Sequence, residues 1–188
     1  MSRRSTARLA LAAWILITSA VAQNLAAPRT PPPPRILPAD GLFGFSRLAR
    51  SAGLIFAGRV TAVVHLPAAA SNGIETVAVT FQVQQAIRGT SAGSRLTISQ
   101  WKGAWSAGQT YRVGENVLLF LYPPGKLGLT SVVGGRLGRF ALDPAGRIPL
   151  SAEQRAAFPA DPLLGGRSQV TFDEMQQAVR QTRADGME

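Results

Sequence analysis

Residues 76–89 read TVAVTFQVQQAIRG, and this stretch decides the fold. Up to Arg88, apolar side chains fall on odd positions and polar or small ones on even positions, with Gln85 as the single exception. The odd-numbered apolar residues are Val77, Val79, Phe81, Val83 and Ile87. A period of two predicts a β-strand with one buried face. Because such a strand leaves backbone donors and acceptors open on both edges, it needs neighbours, and the sequence predicts a β domain.

A first strand is predicted over residues 54–66 (LIFAGRVTAVVHL). Gly58 lies in its interior, where glycine often marks a bend at which a sheet curls tightly. One face of this strand is predicted to carry Phe56, Gly58, Val60, Ala62 and Val64.

Three further segments complete the predicted sheet. Residues 95–100 alternate as a third strand, and residues 116–122 (NVLLFLY) are almost continuously apolar. A continuous apolar run indicates a strand covered on both faces, with a helix over one of them. Residues 127–133 and 135–142 predict the two arms of a last hairpin, interrupted by glycine.

Five or six short strands with glycine bends are typical of a small Greek-key β-barrel of the oligonucleotide/oligosaccharide-binding (OB) type. A sandwich of two sheets is the alternative. The barrel domain is predicted at 40–150, beginning with a short helix over 40–51. In the tail, 151–188, Thr171-Phe-Asp-Glu174 is a capping-box pattern that begins a helix running to about residue 184.

The N-terminus predicts export. In residues 1–22, three arginines precede the apolar run LALAAWILITSAVA, which ends in the small-x-small pattern of a signal-peptide cleavage site. The run of 14 residues is short for a membrane span, and an uncleaved anchor is the alternative. Residues 23–39 contain four consecutive prolines and predict a disordered, extended leader. The expected location is secreted or periplasmic.

The amino-acid composition excludes several kinds of functional site. The chain has no cysteine, which excludes disulfides, thiolate metal sites and thiol nucleophiles. Its net charge is +10, and removal of the three arginines of the predicted signal peptide leaves 17 basic and 10 acidic residues, or +7. A basic exported protein is attracted to anionic partners over long range.

Catalytic groups are scarce. His65 is the only histidine, and between residues 54 and 143 the only acidic residues are Glu75, Glu115 and Asp143, at spacings that form no pair. We interpret His65 as a solvated side chain and Glu115 as a residue that closes a turn. No phosphate-binding glycine loop or dinucleotide fingerprint is present, so the chain is expected not to be an enzyme and to hold no metal or cofactor.

Residues 101–114 (WKGAWSAGQTYRVG) form the most unusual loop, because they concentrate aromatic and cationic side chains. Flat rings beside positive charge stack on sugars, on bases or on the anchor residues of a partner protein. Nucleic acid is the least favoured of these for an exported protein. The alternative is that the tryptophans fold back and plug one end of the barrel. The candidate partner-binding residues are Trp101, Lys102, Trp105, Tyr111 and Arg112.

Several of these segments together resemble a known family. LARSAGLIFAGRVTAV, VTFQVQQAIRG, RLTIS, VGENVLLFLY and GRFALD, in this order over residues 48–143, are similar to bacterial exported proteins that resemble the tissue inhibitors of metalloproteinases and the netrin-like (NTR) module. The short signatures are Arg88-Gly89 and Gly114-Glu115.

The resemblance implies an OB-type barrel that binds a protein partner, with an exported metalloprotease as one candidate. The inhibitors place a mature N-terminal cysteine on the protease zinc, and this chain has no cysteine for that contact. The expected function is an exported, non-enzymatic binding module for another protein. The alternative is a cell-envelope or polysaccharide binder that uses the aromatic, basic loop.

Overall fold

The computed structural model describes residues 44–70, 73–106, 109–159 and 161–184. The predicted signal peptide and Pro-rich leader lie outside these residues. The elements are, in chain order, α1 (Phe45–Ser51), β1 (Leu54–Leu66), β2 (Thr76–Arg88), β3 (Arg95–Trp101), α2 (Lys102–Ser106), β4 (Asn116–Leu121), β5 (Arg139–Ala141), β6 (Ile148–Pro149), α3 (Ala152–Ala157), β7 (Gln169–Val170) and α4 (Phe172–Ala184), with 3-10 turns at Ala68–Ala70 and Gly135–Gly138. None of the helices in the described ranges is long and apolar enough to cross a membrane.

The described strands form two antiparallel sheets. The larger has the strand order β3-β2-β1-β4-β5, and the smaller pairs β6 with β7. The predicted mainly β fold is therefore confirmed, together with the short helix before the sheet and the helix after it. The predicted strands at 54–66, 76–89, 95–100 and 116–122 agree with β1 to β4 to within one residue.

The strand β2 changes its buried face part-way along. From Val77 to Val83, the odd-numbered side chains are fully buried in one cluster. The pairing with β1 then skips a residue, because Gly58 faces Val83 while the residue before it faces Gln85. One extra residue in a strand moves all later side chains to the opposite face. Ile87 therefore packs against the other cluster, and the prediction that it shares the face of Val83 is wrong.

The strand β1 leaves the core in its second half. Register shifts interrupt its pairing with β2 at three places, the last of them directly after Val60. Val64, predicted to share the face of Phe56, is consequently half exposed. Gly58 lies at another of these shifts, and a Cβ atom there would stand 2.9 Å from the carbonyl oxygen of Gln82. The strands approach so closely at this bend that only glycine fits without displacement.

Apolar clusters cover both faces of the sheet. The helix-side cluster joins Phe45 of α1 and Met175 of α4 to even-numbered residues of β4, and the strand-side cluster joins Phe81 of β2 to odd-numbered residues of β4. All residues from Val117 to Leu121 are fully buried. The prediction that this strand is covered on both faces, with a helix over one of them, is confirmed.

Two hydrogen bonds from Arg88 attach α1 to β2. The Arg88 Nη1 atom donates to the carbonyl oxygens of Ala49 and Ala52, at 2.8 and 2.7 Å, and so ties the end of β2 to the end of α1.

The start of α4 is capped. The Thr171 N–H donates to Glu174 Oε2 at 2.8 Å, and the Glu174 N–H donates to Thr171 Oγ1 at 3.2 Å. This reciprocal pair is the predicted capping box of α4.

The tail contains more structure than the sequence predicted. Ser151 and Gln154 form a second capping box, which begins α3. Phe158, Leu164 and Val170, which lie between α3 and α4, are buried in the helix-side cluster. The tail residues therefore complete the cover over β1 and β4.

The predicted last hairpin is wrong. Residues 139–141 pair antiparallel with β4, and Val132 also bridges antiparallel to Leu121 of that strand. The chain thus keeps one direction along β4 instead of reversing. Gly134 and Gly135 have φ values of 63° and 60° and lead into a 3-10 turn, so the glycine pair interrupts a β-segment without folding it back.

Residues 129–133, called here the bridging segment, contact two strands that are not neighbours in the sheet order. The Thr130 N–H donates to the Ser99 carbonyl of β3 at 2.9 Å, and the Val133 N–H donates to the Phe120 carbonyl of β4 at 2.8 Å. The bridge to β3 is parallel and the bridge to β4 is antiparallel. This segment therefore links β3, at one end of the order, to β4 near the other.

Candidate binding site

An exposed aromatic corner lies where β3 ends. Trp101 is 59% exposed and Tyr122, directly after β4, is 37% exposed. Together with Pro123 and Leu129 they line a groove of about 390 Å³. Leu127, in the adjoining turn, is 60% exposed. Three of the five large apolar side chains exposed in the described ranges are thus Trp101, Tyr122 and Leu127, which we call the aromatic corner.

Hydrogen bonds to main-chain carbonyl groups fix the walls of this groove. The Tyr122 N–H donates to the Ser131 carbonyl at 3.0 Å, and the Thr130 hydroxyl donates to the Tyr122 carbonyl at 2.6 Å. The Gly125 N–H donates to the Leu129 carbonyl at 2.8 Å and closes the turn that carries Leu127. A surface that is ordered before binding loses less conformational entropy when a partner docks.

Lys102 lies at the edge of the aromatic corner. Its Nζ atom pairs with Glu75 Oε2 at 2.9 Å, and its backbone N–H donates to the Glu75 carbonyl at 3.0 Å. Both side chains are about half exposed, so water and salt screen the ion pair and it adds little stability. Lys102 follows Trp101 in the chain and Glu75 precedes Thr76, the β2 partner of Trp101, so the pair leaves one cation and one anion near this end of β3.

Trp105 and Tyr111 point inward. Trp105, on α2, packs edge-on against His65, with ring centroids 5.1 Å apart, and tilts against Tyr111 at 6.2 Å. Tyr111 is buried and packs edge-on against Phe81 at 5.6 Å. These two rings therefore extend the strand-side cluster; of the two tryptophans that the alternative expected to fold back, Trp105 does so and Trp101 does not.

Burial also changes the chemistry of Tyr111. Its hydroxyl makes no hydrogen bond of normal geometry with a described residue, although the Gln100 amide lies near it. Desolvation raises the pKa of Tyr111 to about 12, and the positive charge of Arg139, 5.0 Å from the ring centroid, opposes this rise. The phenol is therefore neutral across the physiological range and is not poised for acid–base catalysis.

Arg112 belongs to a different depression. A cavity of about 540 Å³ is lined in part by Arg136, Arg139 and Gln154, and a second of about 480 Å³ is lined in part by Arg112; both include Glu115 and Arg139. We call this joined depression the arginine cleft. Of the five candidate residues from the sequence, Trp101 and Lys102 thus lie together at the aromatic corner, Trp105 and Tyr111 lie inside, and Arg112 lines the arginine cleft.

Glu115 organises the arginine cleft. Its Oε1 atom accepts from Arg139 Nη2 at 2.5 Å, and its Oε2 atom accepts from the Arg112 N–H at 3.2 Å. The Glu115 N–H donates to the Arg112 carbonyl at 3.1 Å. The prediction that Glu115 closes a turn is confirmed, and the same carboxylate also holds Arg139 in place.

Gln154 fixes the opposite wall of the cleft. This buried side chain accepts the Ser151 N–H at 2.9 Å and donates to the Arg139 carbonyl at 3.0 Å. It thereby joins the capping box of α3 to β5. Sequence reasoning missed the cleft residues Arg136, Arg139 and Gln154. The pattern Ser151-Ala-Glu-Gln154 is a capping-box signal that could have located α3, whereas no local pattern brings Arg112 beside Arg139, 27 positions later.

His65 is exposed, as predicted, and its ring contact is with Trp105. Within the described ranges, no group of three or more histidine, aspartate or glutamate side chains is arranged to hold a metal ion.

No protein-family model matches the chain, and no curated protein matches it.

Proposed function

We propose that this chain is an exported, non-enzymatic binding module that binds another protein at the aromatic corner. The observation that carries this proposal is the ordered groove that the exposed Trp101 and Tyr122 line together, with the exposed Leu127 in the adjoining turn. Exposed apolar side chains are ordinary when scattered, but a contiguous group of them marks an interaction surface. Aromatic residues are also enriched where protein partners dock.

The strand connections support an OB-type barrel for this module. The bridging segment lies between β3 and β4 with hydrogen bonds to both, so the order β3-β2-β1-β4 can continue through residues 129–133 and return to β3. A closed Greek-key barrel needs such a link, and its bends agree with the register shifts of β1. The same fold is implied by the resemblance to metalloproteinase inhibitors and the netrin-like module.

A metalloprotease is the first partner class to test, because the resemblance points there. The mature chain lacks a cysteine, so we expect any inhibition to come from covering the protease surface and not from ligation of its zinc. The predicted signal peptide favours an encounter outside the cytoplasm.

The test is retention of exported proteins from the native host on the immobilised mature chain. Trp101→Ala is the main variant, and Val113→Ala, which truncates an exposed apolar side chain outside the aromatic corner, is the matched control. We expect Trp101→Ala to weaken retention of the captured protein roughly tenfold, as is typical for an aromatic anchor.

Inhibition is then measured by adding the mature chain to any captured protease. Loss of retention in both variants, or in neither, would refute the role of the corner. Retained proteins that include no protease would refute the protease assignment but not protein binding.

A second candidate function is binding of an envelope polysaccharide. It is favoured by the exposed Lys102–Glu75 pair, which supplies hydrogen-bonding groups at the end of β3 that carries the exposed Trp101. Affinity electrophoresis in gels that contain neutral envelope glycans separates the two ideas. Retardation that Trp101→Ala abolishes would favour the glycan, and unretarded migration of the wild-type chain would exclude it.

A further inference from the structure

We propose that the arginine cleft is a second binding site, separate from the aromatic corner, and that it binds the carboxylate of an acidic peptide segment. The cleft brings three guanidinium groups, those of Arg112, Arg136 and Arg139, to one joined depression. This proposal goes beyond protein binding at the corner and does not depend on it.

The charges of the cleft are only partly neutralised. Glu115 is paired with Arg139, and Arg112 and Arg136 form no ion pair with any carboxylate in the described ranges. With Glu153 included, three arginines face two glutamates, which leaves a net charge of +1 on the lining. One positive charge suits a carboxylate, a monoanion, better than a phosphate dianion.

The internal contacts already show how a carboxylate is held there. The oxygens of Glu115 accept from Arg139 Nη2 and from the Arg112 N–H, which is a combination of guanidinium and backbone donors around one carboxylate. The planar guanidinium presents donors along more than one edge, so Arg139 can hold a second carboxylate beside Glu115. Burial of the Glu115–Arg139 pair is partial, with about a quarter of each side chain exposed, so the pair stays accessible from the cleft.

The wall of the cleft favours an extended peptide over a sugar. Arg139 and Ala141 belong to β5, the last strand in the order of the larger sheet, and both line the cleft. Because the Gln154 amide already occupies the Arg139 carbonyl, a peptide would be held there through its side-chain carboxylates. Pro149 and Ala152 add apolar surface, while the described residues of the lining include no aromatic ring on which a sugar could stack.

Hydrogen bonds fix Arg139 and the backbone at Arg112. Gln154 holds the backbone of Arg139 through its side-chain amide, and Glu115 holds the side chain. Arg112 is positioned by the turn that Glu115 closes. This part of the site is therefore ordered before a ligand arrives, which reduces the entropic cost of binding.

The test measures binding of poly-L-glutamate to the mature chain by titration calorimetry at low salt. Arg112→Gln and Arg136→Gln each remove one exposed charge from the cleft, and Arg180→Gln removes one from α4, which does not line it. We expect each cleft variant to bind roughly fivefold more weakly, as for exposed ion pairs, and Arg180→Gln to bind like the wild-type chain.

Glu115→Gln provides a readout that a merely structural residue would not give. The amide oxygen can still accept the Arg112 N–H, but the negative charge that competes for Arg139 is gone, so we expect tighter binding of poly-L-glutamate. Thermal unfolding of every variant verifies that it is folded. Should Glu115→Gln unfold, the comparison of Arg112→Gln and Arg136→Gln with Arg180→Gln decides alone.

Three results would overturn the proposal. If Arg180→Gln loses as much affinity for poly-L-glutamate as the cleft variants do, the net charge of the chain alone attracts the polymer. Binding of polygalacturonate but not of poly-L-glutamate would assign the cleft to acidic glycans instead of peptides. Binding of inorganic phosphate in preference to acetate, weakened by the same cleft variants, would refute the carboxylate assignment. Each result is independent of Trp101→Ala, so failure here and failure at the aromatic corner are distinguishable.

Discussion

Tyr111 makes the stability of this fold sensitive to alkaline pH. Its pKa is raised to about 12 in the folded chain, chiefly by burial, whereas a tyrosine in an unfolded chain titrates near 10. The unfolded state therefore loses its proton first. The contribution of Tyr111 to stability is fully present below about pH 10 and is lost as the pH rises from about 10 to 12. A difference of about two pKa units corresponds to a loss of about 3 kcal/mol in the free energy of unfolding.

The chain is well suited to measuring this directly, because it contains only two tyrosines. In a Tyr122→Phe variant, the ultraviolet absorbance of tyrosinate reports Tyr111 alone. We expect a midpoint of about 12 for the folded variant and of about 10 in concentrated denaturant. Circular dichroism recorded in the same titration establishes that the sheet persists.

A second variant isolates the tyrosine from other groups that titrate in this range. The double variant Tyr122→Phe, Tyr111→Phe should lose less stability between about pH 10 and 12 than Tyr122→Phe does, by about 3 kcal/mol in urea unfolding. At neutral pH it should be about 1 kcal/mol more stable, because it removes a buried hydroxyl that lacks a good hydrogen bond. A native midpoint near 10 would refute the burial of Tyr111, and equal alkaline losses in the two variants would refute the linkage argument.

Two further predictions concern the attachment of the helices. Gln154→Ala should lower the free energy of unfolding by about 2 kcal/mol, because it removes a capping partner and leaves the Arg139 carbonyl unpaired; urea unfolding measures this, and an unchanged midpoint would contradict it. Hydrogen bonds from the Thr171 backbone and from Arg167 lower the pKa of Glu174 in the folded chain. The contribution of Glu174 to stability is therefore present above the ordinary pKa of a glutamate and is lost as the pH falls through the lowered pKa. Glu174→Gln should flatten this acid dependence in unfolding series at falling pH, with Glu153→Gln, an exposed residue of α3, as the control.

Regular alternation was the part of the fold that the sequence predicted well. Val77 to Val83 are buried at every second position because β2 pairs with β3 in one register from Thr76 to Gln82, and the nearby irregularity falls on β1 and not on β2. The continuous apolar run of β4 likewise predicted a strand covered on both faces, since no polar side chain interrupts either side. Both predictions needed only local periodicity.

Irregularities in strand pairing defeated the same reasoning. The bulge between Val83 and Gln85 moves Ile87 to the opposite face, and the polar Gln85 at an odd position was its only local sign. The glycine pair at 134–135 suggested a hairpin, but it forms a 3-10 turn within a segment that continues along β4. A register shift depends on the partner strand, so one strand read alone does not reveal it.

The candidate site divides for a similar reason. Loop composition brought Trp101, Lys102, Trp105, Tyr111 and Arg112 together in sequence, but the loop passes from the outer end of β3 through the strand-side cluster and out to the arginine cleft. Trp105 and Tyr111 therefore pack against the core, whereas Trp101 stays exposed and can contact a partner. Tyr122, the second aromatic residue of the corner, follows β4 in the chain. It lies near the end of β3 because the bridging segment forms hydrogen bonds both to Tyr122 and to β3.

The two short signatures of the family resemblance both have structural roles in this chain. Arg88 caps the end of α1, and Gly89, at φ 76°, would place a Cβ atom 2.5 Å from the Gly53 carbonyl oxygen. The Gly114 N–H donates to the Val60 carbonyl, while Glu115 closes the turn before β4. Signatures of this kind specify where the backbone must turn, so they bear on the fold and say nothing about a partner. Partner choice depends on side chains that the fold leaves exposed, such as Trp101 and Arg112, and substitutions there should alter binding while leaving the unfolding free energy nearly unchanged.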